Sequence, residues 1–592
     1  MDFQECLEQI AESARSKKLS LWVGAGISKD PPASLPLGKE LKFYILEKLC
    51  DHPELQQLYE ERLREGRDIG NRIRDYPLEA FVERIADNED HIISKIAELF
   101  RGGDPNKNHF LIAKLMEKGF IRTVITTNFD LLIEKALEGV GWLEVTDFYV
   151  YRTEDQIERS AFHQDVPSIF KIHGSVDNEE SMRITLRDVA RRTLSEKRAS
   201  LLEHFMSSSD GDVLVLGYGA GDFFDIDPAL LGLESKKRIL YVKYEPRKRE
   251  VDEHLPQTFQ TFGGLSICCD SDEVVDYLWK VVLNEDWMVL QNKWTGKTYG
   301  TQMQSENWKA PIDKWANEIP PGTRFFILGS ILYNIAEPDV TFKMLEKARS
   351  IFEKLGNQWA IAMTLSNLGM IEEQRGNYDE AKRLYNGSLT IKRKLGDQLG
   401  IANTLANLGM IEQNRGNYDE AKRLYNESLE MEKRLGDQLG IAGTLHQLGI
   451  IEQQRGDCDE ALKLYNQSLE IDRKLGNQSG TAATLHNLGV IEQNRGNYDE
   501  AKRLYNESLE IQRKLGNQSG RASTLGQLGL LAEAGKDLEA AERFCKEAYD
   551  IFTKIGEKLG MQLTKKDLDR VQQLRKSCRG LSCFNNSDSR KV

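Results

Sequence analysis

The sequence predicts a protein of two parts: an α/β domain built on a parallel sheet, followed by an all-α solenoid of helix pairs. Two observations carry this prediction. Short apolar runs alternate with helical patterns through residues 1–285, and a 40-residue period recurs from Gly356 onward. Continuous apolar runs are typical of strands buried on both faces, and repeats that cannot bury their apolar faces alone must stack on one another.

Composition limits the classes of function. The formal net charge of −13 opposes non-specific binding to nucleic acid. No apolar run approaches the roughly 20 residues of a membrane span, and the acidic N-terminus lacks an apolar signal core, so we expect a cytoplasmic protein. The eight cysteines form no CxxC pair, which predicts neither a metal site nor a disulfide framework, and Cys578 and Cys583 are interpreted as free thiols.

The α/β domain is placed at residues 1–285. Residues 40–118 are interpreted as helices inserted after the first strand and its turn, and residues 286–325 as a connector with little pattern. The predicted strands are the apolar runs at 19–23, 122–127, 167–172, 212–217, 238–243 and 265–269.

The repeat array is placed at residues 326–577, with 326–355 as a worn first repeat and 578–592 as a tail. Each block predicts two helices, separated by an Arg-Gly-Asn turn. The blocks resemble the tetratricopeptide repeat in its 40-residue form, because that motif places packing residues at positions such as Leu368, Gly369, Gly376, Ala381 and Tyr385.

An amide recurs at one position of each first helix: Asn367, Asn407, Gln447, Asn487 and Gln527. Two interpretations of this ladder stay open. It could bind an extended peptide on the concave face, or it could stabilise the stack.

Glycines or polar residues follow four consecutive predicted strands. Parallel strands deliver such residues to one edge of the sheet, where ligands bind. The residues concerned are Gly24, Ala25, Gly26 and Ser28; Thr127, Asn128 and Asp130; His173 and Gly174; and Gly217, Tyr218, Asp222 and Asp225.

The first turn suits phosphate binding, since glycines let backbone N–H groups approach a pyrophosphate. It is not G-x-G-x-x-G, because Lys29 stands where the third glycine would fall. A hydride-transfer domain also needs an acidic residue closing a second strand, and the residues from position 44 onward read as helix. Hydride transfer is therefore disfavoured, and a tight turn without a ligand remains the alternative.

Taken together, the motifs resemble the Rossmann-like sirtuin fold: GAG-x-S at 24–28, N-x-D at 128–130, His-Gly at 173–174 and a glycine turn at 217–222. The resemblance implies NAD+ binding and a catalytic role for Asn128 and His173. It implies NAD+ contacts for Gly24, Ala25, Gly26, Ser28, Thr127, Asp130, Gly217, Tyr218 and Asp222.

The sequence also departs from the sirtuin pattern. Sirtuin deacetylases carry a zinc module of two CxxC pairs, a G-I-P-D-F-R loop after the first turn and an Asn that would fall near Val242 and Lys243; all three are missing. What remains resembles the sirtuin-like NAD+ hydrolases of prokaryotic antiviral defence, which join such a domain to a sensor. This implies NAD+ as substrate, no metal, a homo-oligomer, and repeats that sense a protein or peptide trigger or drive oligomerisation.

Cleavage of NAD+ asks little of the protein, because nicotinamide is already a cationic leaving group and the transition state is oxocarbenium-like. Asn128 could hold the ribose hydroxyls or the attacking water. His173 could remove a proton, since imidazole titrates near neutral pH, and Asp130 could orient its neighbours.

Alternatives remain at several of these residues. Asn128 could cap the helix that begins near "NFDLLIEKAL", and Asp222 and Asp225 could cap a turn. Structural roles are assigned to His109, His163 and His204. The rival functions are an NAD-dependent protein deacylase recruited to its targets by the repeats and a non-catalytic nucleotide-binding scaffold.

Overall fold

The described part of the chain forms two compact units, Met1–Ile351 and Phe352–Val592. None of the described helices is long and apolar enough to cross a membrane. The computed structural model describes residues 1–585 except 31–32, 77, 87–90, 154, 157–165, 178–181, 183–195, 208–210, 220–225, 227–229, 231–232, 234–236, 288–307, 336, 515–516 and 556.

The first unit contains an eight-stranded sheet. Its strands are β1 Leu19–Val23, β2 Ile121–Thr126, β3 Tyr149–Tyr151, β4 Ser168–Lys171, β5 Gly211–Leu216, β6 Lys237–Tyr244, β7 Glu250–Asp252 and β8 Gly264–Cys269. They lie in the order β3-β4-β2-β1-β5-β6-β8-β7, and all neighbours are parallel except β7 and β8. The chain moves outward from β1 first on the β2 side and then on the β5 side, so its direction across the sheet reverses beside β1.

Both faces of the sheet are buried, which explains the continuous apolar runs. Side chains alternate between the two faces of a strand. In β1, Leu21 and Val23 join one apolar core and Trp22 joins the other. The indole of Trp22 packs edge-on against Phe259 with ring centroids 5.6 Å apart. The predicted α/β class with a parallel sheet is confirmed.

Two edge strands were not predicted from the sequence. β3 and β7 each contain three residues. A strand this short shows too few side chains for a recognisable alternation, and its position depends on pairing with β4 or β8.

Helices surround the sheet and also fill the predicted insertion after the first turn. In chain order they are Phe3–Arg15, Gly38–Leu49, Pro53–Leu58, Asp68–Asp75, Leu78–Ala86, Ile92–Arg101, Lys107–Glu117, Leu132–Gly139, Glu196–Ser207 and Ser271–Tyr277.

The segment expected to be a featureless connector contains packed helices. Lys309–Glu318 contacts the helices Gly38–Leu49 and Ile92–Arg101, and its Trp315 is 1% exposed. The next helix, Pro321–Asn334, contacts Leu78–Ala86. Residues 309–334 therefore belong to the first unit, although the sequence placed 286–325 between the domains.

Arg324 fastens this segment to the inserted helices. Its guanidinium donates to the carbonyl oxygens of Lys48 and Asp51 at 2.7 and 3.2 Å, and to that of Ala316 at 2.5 Å. A cation beside helix C-termini meets carbonyl groups that lack partners in their own helix. Burial lowers the pKa of Arg324, so these carbonyl contacts must compensate for its desolvation.

The second unit consists of antiparallel helix pairs, as the period predicted. The helix Pro338–Leu355 spans the division between the units. It is followed by Gln358–Gln374, Tyr378–Leu395, Gln398–Asn414, Tyr418–Leu435, Gln438–Arg455, Cys458–Leu475, Gln478–Asn494, Tyr498–Lys514, Gln518–Ala534, Leu538–Ile555 and Lys558–Asn585. The last helix continues into the segment 578–592, which was predicted to be a tail.

Glycine and tyrosine make the tight contact inside each pair. A Cβ added to Gly369 would lie 2.8 Å from the ring of Tyr385, which is fully buried. The same contact recurs as Gly409–Tyr425, Gly449–Tyr465 and Gly489–Tyr505. The packing role assigned to these positions is confirmed.

The amide ladder makes a stacking contact at Asn487. Its Nδ2 lies 3.3 Å from Nε2 of His446 in the preceding repeat, and His446 Nδ1 lies 2.9 Å from Thr484 Oγ1. This geometry supports stabilisation of the stack at this position of the ladder.

Candidate functional site

The turns after β1 and β5 pack directly against each other. Gly26 N donates to Gly217 O at 2.8 Å, and Gly24 N donates to Leu216 O at 3.0 Å. A Cβ added to Gly26 would lie only 2.8 Å from Gly217 Cα, and Gly217 has a φ of +64°, which favours glycine. The glycines are therefore needed for contact between the turns. Their approach to a pyrophosphate stays a prediction.

A cleft of about 940 Å³ opens at the carboxyl edge of the sheet, beside the point where the strand order reverses. Open α/β sheets bind ligands at such points. Five of the predicted NAD+-binding residues line it: Ala25, Gly26, Thr127, Gly217 and Tyr218. The other described site residues are buried: Gly24, Ser28, Asn128, Asp130 and His173.

Ser28 is the centre of a buried polar network. Its Oγ donates to Asp130 Oδ2 at 2.9 Å, accepts from Asn128 Nδ2 at 3.3 Å and lies 3.0 Å from His109 Nε2. A hydroxyl offers one donor and two acceptor positions, so these three partners use its full capacity. The structure thus brings together three residues that the sequence predicted and one, His109, that it did not assign to the site.

Asn128 has one unused acceptor. Its backbone N–H donates to Thr126 Oγ1 at 3.0 Å, while its buried Oδ1 has no hydrogen-bond partner among the described residues. A buried acceptor without a partner is costly, which points to a water or ligand at this atom. The alternative that Asn128 caps the next helix is wrong, because Leu131 is the N-cap and Asp130 Oδ1 accepts from Leu132 N at 3.1 Å.

His109 holds the network from the side of the helix Lys107–Glu117. Its Nδ1 accepts from the backbone N–H of Asn106 at 3.1 Å, so in the neutral ring Nε2 carries the proton and donates to Ser28. Burial lowers the pKa of His109 to about 4, with Asp130 opposing this shift, so the ring is neutral at physiological pH. The Asn106–His109 capping pair is the signal in the sequence that could have drawn attention to it.

His173 follows β4, as predicted. It is 6% exposed, and its ring centroid lies 6.3 Å from that of Phe129, with an angle of 31° between the planes. The following Gly174 has a φ of +89°, which turns the chain sharply after the imidazole.

A buried ion pair supports the network from β4. Lys171 contacts the carbonyl oxygen of Asp130, and its Nζ lies 2.9 Å from Glu134 Oε1. Burial raises the pKa of Glu134, and the attraction of Lys171 opposes this rise. Sequence reasoning missed this lysine, although a lysine inside the apolar run "PSIFKI" is a recognisable signal of a buried pair.

Asp222, Asp225 and His163 lie outside the described residues. Val242 and Lys243, where the sirtuin asparagine would fall, line the cleft.

Residues 122–237 match the family model of the SIR2-like domain, and residues 326–394, 400–474 and 480–554 match that of the tetratricopeptide repeat. The chain therefore carries a SIR2-like domain followed by tetratricopeptide repeats. No curated protein matches the sequence.

Three solved structures match part of the chain at low sequence identity. BtubC (BKLC) from P. vanneervenii is 19% identical, with a TM-score of 0.34, and the match covers 38% of this chain and 93% of that one. The apo form of RapI is 17% identical, with a TM-score of 0.34, and the match covers 44% and 100%. A Rap protein complexed with competence and sporulation factor is 12% identical, with a TM-score of 0.34, and the match covers 51% of this chain and 92% of that one.

A SIR2-like domain implies an enzyme that uses NAD+, and tetratricopeptide repeats typically mediate protein interactions. The open acceptor of Asn128 and the cleft lined by both glycine turns fit such a ligand. Within the described part of the chain, no group of three or more His, Cys, Asp or Glu side chains is placed to hold a metal ion.

Proposed function

We propose that the SIR2-like domain hydrolyses NAD+ to ADP-ribose and nicotinamide. The observation that carries this proposal is the buried network of Ser28, His109, Asn128 and Asp130, with an unused Asn128 oxygen, in a sequence without CxxC pairs. The network supplies polar groups for a ribose or a water. The sequence supplies no counterpart of the zinc module of deacetylases.

In this reaction the bond between the nicotinamide nitrogen and ribose C1′ breaks, and its electron pair neutralises the pyridinium. The oxygen of a water molecule bonds to C1′ and loses a proton. Asn128 Oδ1 is the acceptor that would orient this water or a ribose hydroxyl. His173 is the base that would take the proton, because imidazole is neutral enough at physiological pH to accept one.

Three further residues keep Asn128 in position. Ser28 accepts from the Asn128 amide, and both Asp130 and His109 bind the same hydroxyl. The low pKa of His109 keeps its ring neutral, so it serves as a fixed donor rather than as the base. Such rigid support reduces the reorganisation needed when charge develops in the transition state.

The experiment is product analysis with purified full-length protein and NAD+, with and without an acetylated peptide. Hydrolysis yields equal amounts of ADP-ribose and nicotinamide without peptide. Deacylation would yield O-acetyl-ADP-ribose only when the peptide is present. Binding without products in either case would identify a nucleotide-binding scaffold.

We propose further that the protein is an effector of prokaryotic antiviral defence, in which the repeats sense a protein or peptide trigger or assemble a homo-oligomer. A continuously active NAD+ hydrolase would deplete its own cell, and the union of a SIR2-like domain with repeats offers a means of restraint. The test measures turnover per subunit and mass in solution for the full-length protein and for a fragment ending at Leu355. Equal turnover and equal assembly state would show that the repeats are only a tether.

A further inference from the structure

The aromatic ring of Tyr244 is not packed into the core of the domain. It is the last residue of β6, it lines the cleft and it is 67% exposed. Among the described residues, none makes a ring contact or a hydrogen bond with its side chain. The other two cleft tyrosines are buried, and the hydroxyl of Tyr241 donates to the carbonyl oxygen of Tyr218 at 3.0 Å.

The order of strands sets the approximate distance between the end of β6, where Tyr244 lies, and the ends of the strands that carry the polar network. Neighbouring strands lie about 4.8 Å apart, so the end of β6 lies about 10 Å from the end of β1. Ser28 and Asn128 follow β1 and β2, the glycine turns follow β1 and β5, and Tyr244 ends β6. A dinucleotide that has its glycosidic bond at Asn128 and its phosphates at the glycine turns must extend its second nucleoside toward β6.

We propose that Tyr244 stacks on the purine base of the bound dinucleotide. This proposal rests on the proposed function of the cleft. An exposed aromatic face is suited to a base, and stacking of this kind contributes substantially to nucleotide affinity. The neighbouring Lys243 does not compete for the role, because its Nζ is paired with Glu245 Oε1 at 2.5 Å. Stacking would stand in for the amide contact that the missing sirtuin asparagine provides.

The test is calorimetric titration of the full-length protein and of two variants, Tyr244→Ala and Tyr244→Phe. Three ligands separate the parts of the dinucleotide: NAD+, ADP-ribose, which lacks nicotinamide, and nicotinamide mononucleotide, which lacks adenosine. Tyr244→Ala is expected to weaken NAD+ and ADP-ribose by about 5- to 100-fold and to leave nicotinamide mononucleotide unchanged. Tyr244→Phe keeps the ring and is expected to bind all three ligands like the wild type.

The outcomes separate this inference from the function on which it rests. Wild-type protein that binds NAD+ while Tyr244→Ala binds it equally well would overturn the stacking role alone. Equal weakening of NAD+ and nicotinamide mononucleotide would also overturn it, because the ring would then act on the shared half. Wild-type protein that binds no NAD+ would overturn both. Thermal unfolding of each variant confirms that the comparison is made between folded proteins.

Discussion

Both units use glycine to bring chain segments into close contact, but at different distances along the sequence. In the repeat array, Gly449 meets Tyr465 within one helix pair, and the same contact recurs in other repeats. In the SIR2-like unit, Gly26 meets Gly217, which comes from a distant turn. A period in the sequence reveals the first kind of contact, whereas only the fold reveals the second.

Buried polar groups show the same difference. In the array, one buried position changes from Lys392 to Glu432, Asp472 and Gln512 in successive repeats. Two of these side chains have partners within the array: Lys392 Nζ lies 3.0 Å from Thr404 Oγ1, and Glu432 accepts from Thr444 at 2.9 Å. The polar groups of the site instead come from distant positions of the sequence and meet at one atom, Ser28 Oγ.

The largest expected effect comes from cutting the chain inside the first unit, ahead of residue 309. A fragment ending at position 285 loses the helices of residues 309–334 and the hydrogen bonds that Arg324 donates to backbone carbonyl oxygens. It is expected to aggregate or to lack cooperative unfolding, whereas the fragment ending at Leu355 keeps a cooperative transition. Circular dichroism and thermal scans check this. A stably folded 1–285 fragment would show that the inserted helices need no cover.

Next in size is the contact between the glycine turns. Gly26→Ala places a methyl group 2.8 Å from Gly217 Cα, so we expect a loss of about 3 kcal/mol in the free energy of unfolding. Gly219→Ala is the control, because a Cβ there meets nothing within 4 Å. Urea unfolding measures both. If Gly26→Ala is as stable as Gly219→Ala, the turns do not depend on this contact and the glycine is kept for another reason.

Much of this structure could be predicted from the sequence. What could be predicted depends on whether a feature has a local pattern or depends on distant residues. The repeats, the six longer strands and the glycine turns follow local patterns that fix which face is buried. Local signals mark His109 as part of a capping pair and Lys171 as a buried lysine, but they do not assign either residue to the site, because the partners lie on other elements: Ser28 and His109 are separated by 81 positions. The helix Lys309–Glu318 was missed because it follows a segment of little pattern.

Acidification is expected to destabilise the array through two imidazoles. Burial lowers the pKa of His446 and His486 to about 4, whereas an unfolded histidine titrates near 6.5. The unfolded state therefore binds more protons between these values, so stability falls as pH decreases from about 6.5 to 4. The double variant His446→Ala/His486→Ala introduces the residue that Ala406 supplies at the same repeat position, and it should show a shallower dependence. An unchanged slope in pH-dependent unfolding would contradict this.

The smallest effect concerns two glycines of one helix, Gln438–Arg455. Gly449→Ala meets the Tyr465 ring at 2.7 Å and should cost about 1–2 kcal/mol, whereas Gly443→Ala meets nothing within 4 Å. The second substitution should stabilise the helix by about 0.5–1 kcal/mol, because alanine loses less backbone entropy. Denaturant unfolding measures the sign of the change in the free energy of unfolding for each substitution. If both substitutions stabilise the protein, the ring of Tyr465 moves aside without a loss in the free energy of unfolding.

Nicotinamide release from NAD+, measured without any acylated peptide, tests most directly whether the SIR2-like site is a hydrolase. Full-length protein or the fragment ending at Leu355 should release nicotinamide and ADP-ribose in equal amounts. Asn128→Ala should be at least about 100-fold slower while its unfolding temperature stays close to that of the wild type. Folded Asn128→Ala protein with undiminished release, or no release from either wild-type form, would contradict hydrolysis at this site.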